Sequence, residues 1–494
     1  VELDFGERDH VVAVFPAQTE RFEDGRAYSV AFGDPQVSES LSALRSPPLT
    51  GRDAAEAARA QQEARLARRL AESGIPYAAK RAAVDYQPGD ERTFAVPADV
   101  FGSDHTLVGF RVVAVNDRVV AFVDTSLELS DFGVDADLIA ERIDEFADGM
   151  PIVETHFGPP SDVDGDGKVA VLLVADLIAA EVGGLFSPES LLPVEVGGTG
   201  DLTDIVFIEI DQLAYPEVRI LLTHEYAHLI GFNQKVLVRR GLNEVSWLGE
   251  ALSAIAEDLI AGLVANSNYD HVVKYLQAPA RISLGGNIVI EDQDGFRGAG
   301  HLFVRGLVEQ YGPEVLLRLV QTDKQDTDNV EAATGAAFDD LLARFAAQVY
   351  LSGGEAPSHP WFHFNHPPLT TSQGRGMPLP VQWRHRVGEA ATEGAVAWRG
   401  VGYARVTGEG VTTLEIGSDP DGRLEAVVIP VAKVTPVAEL PTDVFRGVRL
   451  DRPLPTQLST GRPLTVSGSV DDPSVSEIEL SFAAPGREPF TFFF

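Results

Sequence analysis

His224 and His228 stand four residues apart in the run Leu221-Leu222-Thr223-His224-Glu225-Tyr226-Ala227-His228-Leu229-Ile230. On a helix this spacing places two side chains one turn apart on the same face. Two imidazoles so placed can aim ring nitrogens at one ion, and Zn2+ is the natural occupant of a site built from neutral imidazole and carboxylate. A catalytic zinc site takes a third protein ligand and keeps its fourth position for water. Glu250 fits as the third ligand, because Leu248, Leu252, Ile255, Leu259 and Ile260 predict a second helix with Glu250 facing inward. Glu225 adjoins the first ligand without ligating, where it can take a proton from a zinc-bound water attacking a carbonyl. The chemistry implied is amide hydrolysis.

A His-Glu-x-x-His match also arises by accident, and most accidental ones are histidines on a surface helix. Here the motif is apolar before (Val218, Ile220, Leu221, Leu222) and after (Leu229, Ile230, Phe232). That pattern predicts buried histidines, and buried polar groups need partners. Gly231 is placed to end the helix.

His224-Glu225-x-x-His228 with Trp247-Leu248-Gly249-Glu250-Ala251-Leu252-Ser253 resembles the gluzincin metallopeptidases, and most of all the hyicolysin-type neutral zinc proteases. The resemblance extends to Asp162-Val163-Asp164-Gly165-Asp166-Gly167-Lys168-Val169, to Gly298-Ala299-Gly300-His301-Leu302-Phe303-Val304-Arg305 and to Glu309-Gln310-Tyr311-Gly312, covering about residues 85 to 350. It implies that His224, His228 and Glu250 ligate zinc and that Glu225 is the general base. Glu257, two helical turns beyond Glu250, matches an acidic position that steadies a ligand histidine in related enzymes; its alternative is a solvated helix acid. Gly249 and Ala251 depart from the Asn and Gly that usually flank the ligand glutamate. Where related aminopeptidases carry a Tyr oxyanion donor, this chain has Arg297; Arg297 or His301 is the expected substitute, with an ordinary surface or core role as the alternative.

The elements that must position these groups come from the whole chain. Its 494 residues exceed what a single core usually supports, so several domains are expected. The 44% hydrophobic content supplies ample core material, and no apolar run approaches a membrane span. A net charge of −35, with only six lysines, argues against nucleic acid or an anionic membrane surface as partner. Without cysteine there is neither a disulfide nor a thiol nucleophile. The chain opens Val1-Glu2-Leu3-Asp4 with no basic-then-apolar leader, and the expectation is a secreted protein whose signal peptide has been removed.

Residues 1–130 read as an N-terminal β-rich domain with one helix, Ala54 to Leu70, resembling a tethering or propeptide-like segment. Strands are expected at Thr93 to Val96, Thr106 to Val115 and Arg118 to Asp124. Residues 131–352 read as the zinc peptidase domain, with an amphipathic helix at Asp135 to Met150 carrying Ile139, Ile143 and Phe146 on one face. Asp162, Asp164, Asp166 and Gly167 hold positions 1, 3, 5 and 6 of a calcium-loop pattern, while position 12 is Leu173. The expectation is a Ca2+ turn closed by other ligands, against a metal-free Asp-Gly turn. Lys168 to Ala175 and Ile205 to Ile210 predict buried strands behind the zinc helix, and the Gly-rich loop Val182 to Gly200 a rim of the cleft. Helices follow at Leu302 to Tyr311, Glu314 to Val320 and Phe338 to Tyr350, with Tyr275 and His271 placed to face the cleft. Residues 353–394 read as a linker packed on the catalytic domain, and 395–494 as a C-terminal β-sandwich.

The fold expected is therefore α+β: a gluzincin-like domain, β-rich above and helical below, flanked by an N-terminal β-rich domain and a C-terminal β-sandwich. The function expected is a secreted zinc endopeptidase acting on protein or peptide substrates. Two rivals are an aminopeptidase on the same scaffold and a non-catalytic surface-binding protein whose metal site is structural.

Overall fold

A computed structural model describes residues 2–4, 6, 8–16, 26–32, 52–74, 84–98, 104–177, 183–261, 268–285, 293–351, 383–386, 392–418 and 424–432, with short strands at 448–450, 468–470, 479–482 and 490–493. The fold mixes helix and sheet. The first described strands are β1 (Glu2–Asp4), β2 (Arg8–Pro16) and β3 (Arg26–Phe32), and helix α1 (Arg52–Ser73) follows them. A mixed six-stranded sheet then forms from β4 (Glu91–Pro97), β5 (His105–Val115), β6 (Val119–Asp124), β7 (Val169–Val174), β8 (Gly184–Phe186) and β9 (Ile205–Glu209), in the order β4-β5-β6-β7-β9-β8.

β6, β7 and β9 run parallel at its centre, which requires their connections to cross over the sheet. Helix α2 (Ala136–Phe157) makes the first crossover, capped by the Asp135 carboxylate accepting from the Leu138 N–H at 2.8 Å. β7 reads VAVLLV and is buried along its whole length, as expected of a strand covered on both faces. Val171 and Leu173 face the helices with Ile139, Ile143 and Phe146, while Leu172 points the other way toward Phe94, Phe110 and Phe122.

Helix α3 (Val218–Phe232) lies against this sheet, and α4 (Ser246–Ala261), α5 (Asn268–Gln277), α6 (Gln293–Tyr311), α7 (Glu314–Val320), α8 (Asp326–Thr334) and α9 (Phe338–Leu351) complete the helical part. α3 runs through Gly231 and passes into a wider, π-type winding at Asn233–Val238, so Gly231 is not the helix end expected from the sequence. α2 likewise continues past Met150, with Pro151 inside it.

Two domain boundaries set from the sequence do not follow the strand pairing. β4, β5 and β6, expected in the N-terminal domain of 1–130, belong to the same sheet as β7 and β9. β1, β2 and β3 pair instead with strands from much later in the chain, β11 (Thr392–Val396), β12 (Gly402–Thr407), β13 (Val411–Ser418) and β14 (Leu424–Ala432), and β10 (Trp383–Arg386) joins β12 in parallel. The sheets β1-β13-β3-β11 and β10-β12-β2-β14 share one core, with Leu3, Tyr28, Val30 and Leu414 from the first and Val12, Val14, Ala404 and Val406 from the second. The alternate residues of β2, Val11, Ala13 and Phe15, enter the main core instead, so the continuous apolar run Val11–Phe15 is buried on both faces. The linker reading of 353–394 falls mostly on 352–382, outside the described residues, but its end carries β10 and the start of β11. The strands at 448–450 and 468–470, and at 479–482 and 490–493, are described as antiparallel pairs. No described helix is long and apolar enough to cross a membrane.

Candidate metal centre

α3 buries Leu222, Tyr226, Leu229 and Ile230 against the sheet and α2, which leaves His224 and His228 on the side facing α4. α4 buries Leu248, Ala251, Leu252 and Ile255 and turns Glu250 toward the same point. His224 Nε2 lies 3.1 Å from His228 Nε2 and 3.4 Å from Glu250 Oε2, and His228 Nε2 lies 3.5 Å from Glu250 Oε1. A tetrahedral ion with bonds of about 2.0 to 2.2 Å separates its ligand atoms by roughly 3.3 to 3.6 Å. The two ring nitrogens and the Glu250 carboxylate therefore stand close to the spacing of ligands around one Zn2+.

The surroundings fix the imidazole in the form a metal needs. Glu257 Oε1 lies 2.6 Å from His224 Nδ1, and Asn268 Nδ2 donates to Glu257 Oε2 at 3.0 Å. With Nδ1 turned to Glu257, Nε2 faces the donor cluster, where a divalent cation would take the place of a proton. Burial alone lowers the His224 pKa, but hydrogen bonds with Glu250 and Glu257 outweigh it and carry it up to about 10. Burial likewise opposes the charged form of Glu250, yet Arg297, His228 and His224 hold its carboxyl well below the usual range. Glu225, Glu250 and Glu257 all line this region, and Arg297 meets the Glu250 carboxylate there at 2.7 Å. Among the described residues no fourth His, Asp or Glu joins the group.

Glu225 is buried and points toward the edge strand β8, where its Oε2 accepts the Phe186 N–H at 2.7 Å. It lines the same cleft of about 730 Å³ as His224, His228, Glu250 and Glu257. Gly183 and Gly184 line it too, consistent with the rim expected there, and β8 runs so near α3 that a Cβ on Gly184 would stand 3.1 Å from Leu221.

Other expected site residues fall differently. Arg297 lines the cleft with its Nη1 donating to Glu250 Oε2 at 2.7 Å, so it braces a carboxylate of the cluster. His301, one turn further along α6, is fully buried with Nε2 2.6 Å from Asp258 Oδ2 and its ring edge-on to Tyr269. It is outside the cleft lining, because that face of α6 packs on α4 and α5; the oxyanion role expected for it has no geometric basis. His271 lines the cleft, whereas Tyr275 stacks on Phe345 in the core. Asp162, Asp164 and Asp166 bring one carboxylate oxygen each within 4.8 Å of the others, in a separate place.

Asn268, which holds Glu257, and Glu63 on α1, which lines the cleft and accepts from Asn243 Nδ2 at 2.6 Å, were not legible in the sequence. Both contacts join residues whose local spacing carries no periodic signal.

No family model matches the chain. A stretch of 162 residues, 31% of this chain, is 28% identical to the neutral metalloprotease ShpI of Staphylococcus hyicus. The match covers 36% of that protein, so the chain spans about a third of the length of the curated relative it matches. Among solved structures, a zinc metallopeptidase of Deinococcus radiodurans bound to a Tyr-Ser-Ala substrate aligns over 53% of this chain and 52% of its own, at 14% identity and a TM-score of 0.29, too slight a likeness to define a common fold.

Proposed function

We propose that the chain is a zinc-dependent peptidase, and specifically an endopeptidase acting outside the cell on proteins or peptides. The observation that carries this reading is the convergence of His224 Nε2, His228 Nε2 and Glu250 at 3.1 to 3.5 Å beside the buried carboxylate of Glu225. Similarity to a metalloprotease over part of the chain supports it. So does the donor set, since three protein ligands mark a catalytic zinc site and a structural one closes with four.

When bound by His224, His228 and Glu250, Zn2+ supplies Lewis-acid polarisation of the scissile carbonyl and acidifies the attacking water. The protein's own groups do the rest. The Phe186 N–H engages Glu225 Oε2, which leaves Oε1 to accept the proton from water and return it to the departing amine. Glu257, held by Asn268, keeps the His224 ring in its ligating tautomer, and Arg297 keeps Glu250 ionised. β8 borders the cleft with its outer edge unpaired among the described strands, so an extended substrate can add alongside it.

An aminopeptidase is the second reading, and one observation favours it: Glu209 and Glu217 line the same cleft and can attract a free amine. A peptide with a blocked N-terminus separates the two, because an endopeptidase cleaves it and an aminopeptidase does not. Removing metal with a chelator should abolish cleavage of a denatured protein, and one equivalent of Zn2+ should restore it. Full activity in the chelated, zinc-free protein would sink the proposal.

A further inference from the structure

The turn at residues 162–168, between α2 and β7, holds a second carboxylate cluster that is absent from the cleft lining. One oxygen each from Asp162, Asp164 and Asp166 lies within 4.8 Å of the others, inside the span of roughly 4.6 to 5.2 Å across an ion with Ca2+–O bonds of 2.3 to 2.6 Å. The second observation is independent of the clustering. Asp164 is only 7% exposed, and its Oδ1 is buried with no hydrogen-bond partner among the described residues. A buried acceptor left without a donor is costly, and a buried carboxylate more so.

Nearby cations do not resolve this. Lys168 Nζ donates to the Asn116 carbonyl at 2.6 Å, and Arg92 donates to Tyr86, to the Asp201 carbonyl and to Thr203 Oγ1. Asp204 adds a fourth, fully buried carboxyl, already engaged by the Ser161 hydroxyl and by the Val163 N–H at 3.0 Å. Burial first, then Asp166 and Asp204, push the Asp164 carboxyl up to about 7 against the opposing pull of Thr203 and Arg92, which marks the same excess of negative charge.

We propose that Asp162, Asp164 and Asp166 bind a calcium ion that locks the α2–β7 turn onto the central sheet. The donors are all oxygen and sit on a glycine-containing turn, with Gly165 and Gly167 at positive φ, which suits the adaptable shell of Ca2+ better than the tight octahedron of Mg2+. The turn is well placed to pass this on. Asp204, which grips Ser161 and Val163, also accepts the Ala170 N–H of β7 through its carbonyl at 2.8 Å. Upstream, the Pro159 carbonyl receives Asn233 and Gln234, the residues that follow the histidine helix. The ion is structural and takes no part in chemistry at the cleft.

The test uses the whole protein, freed of calcium with EGTA and titrated with CaCl2 by calorimetry. One site is expected with a Kd between about 10⁻⁷ and 10⁻³ M, and CaCl2 at about a hundred times that Kd should raise Tm by about 3 to 8 °C, with MgCl2 giving less than half the rise. Asp164→Asn removes the buried charge and keeps the shape. It should keep the wild-type far-UV spectrum yet lose calcium affinity at least tenfold, together with the calcium-dependent rise in Tm; Asp166→Asn should act in the same direction. Absence of a calcium-dependent Tm rise in the wild type overturns the proposal. Wild-type affinity retained in both variants overturns it equally, since the ion would then bind elsewhere. None of these readouts passes through cleavage, so the peptidase reading can fail without affecting this one.

Discussion

At the scale of single residues, the His224 ring is held in place by a hydrogen bond between its Nδ1 and Glu257 Oε1 at 2.6 Å. Without it the imidazole can rotate or place its proton on the wrong nitrogen. Glu257→Ala is expected to weaken zinc binding about 10- to 100-fold, measured by competition with a chromogenic chelator, while the fold survives. Unchanged zinc affinity would show that Glu257 is only a helix acid. The spacing of His224, Glu225 and His228 was readable from the sequence because a helix face is set by local periodicity. The environments of Arg297 and His301 were not, although they sit one turn apart on α6. Arg297 reaches Glu250 and His301 reaches Asp258, and which neighbour each meets is decided by packing against α4 and α5.

At the scale of elements, the connection from α3 to α4 must hold two ligand-bearing helices in register. It does so partly through an ion pair, Lys235 Nζ to Glu244 at 2.9 Å, with side chains only 1% and 6% exposed. Burial pulls the Lys235 pKa down, Glu244 pulling the other way, and Glu244 also takes hydrogen bonds from Asn329 Nδ2 and the Asp326 N–H. Removing one partner of such a pair leaves a buried charge unbalanced. Lys235→Met is therefore expected to lower stability by about 3 to 5 kcal/mol in denaturant unfolding, and a loss under 1 kcal/mol would show the pair to be dispensable. Neither this pair nor the π-type winding was legible beforehand. Asn233–Val238 reads as ordinary helix-compatible sequence, and its wider turn follows from Asn233 and Gln234 reaching to the Pro159 carbonyl.

At the scale of the whole molecule, segments far apart in the sequence share sheets. Strands from residues 2–32 and 383–432 build the paired sheets, a pairing that local alternation of apolar residues cannot reveal because its partners lie hundreds of positions apart. Some of these strands, such as the run Val11–Phe15 in β2, were visible as apolar runs; that β1 to β3 pair with β11 to β14 was not. The turn after β11 docks on the helices by inserting Arg399, 4% exposed, over the rings of Trp398 and Phe338 at 4.0 and 4.9 Å. Its guanidinium pairs with Asp326, which also accepts the Trp247 indole N–H at 2.9 Å at the start of α4. Arg399→Met leaves Asp326 without its cation and should cost about 2 to 4 kcal/mol, with a changed tryptophan fluorescence maximum in the native state. An unaltered unfolding midpoint would mean that the sheets lean on the helices without bracing α4.

All three scales converge on Glu225, the carboxylate that the helix places beside the three donors and that the Phe186 N–H aligns. The most direct measurement compares cleavage of a denatured protein by the wild type and by Glu225→Gln, with zinc content determined on the same samples. One zinc per chain in both, with cleavage by the variant lower by about 10²- to 10⁴-fold or more, is the result expected of a general base beside an intact metal site. Wild-type cleavage by a zinc-replete Glu225→Gln protein would contradict it.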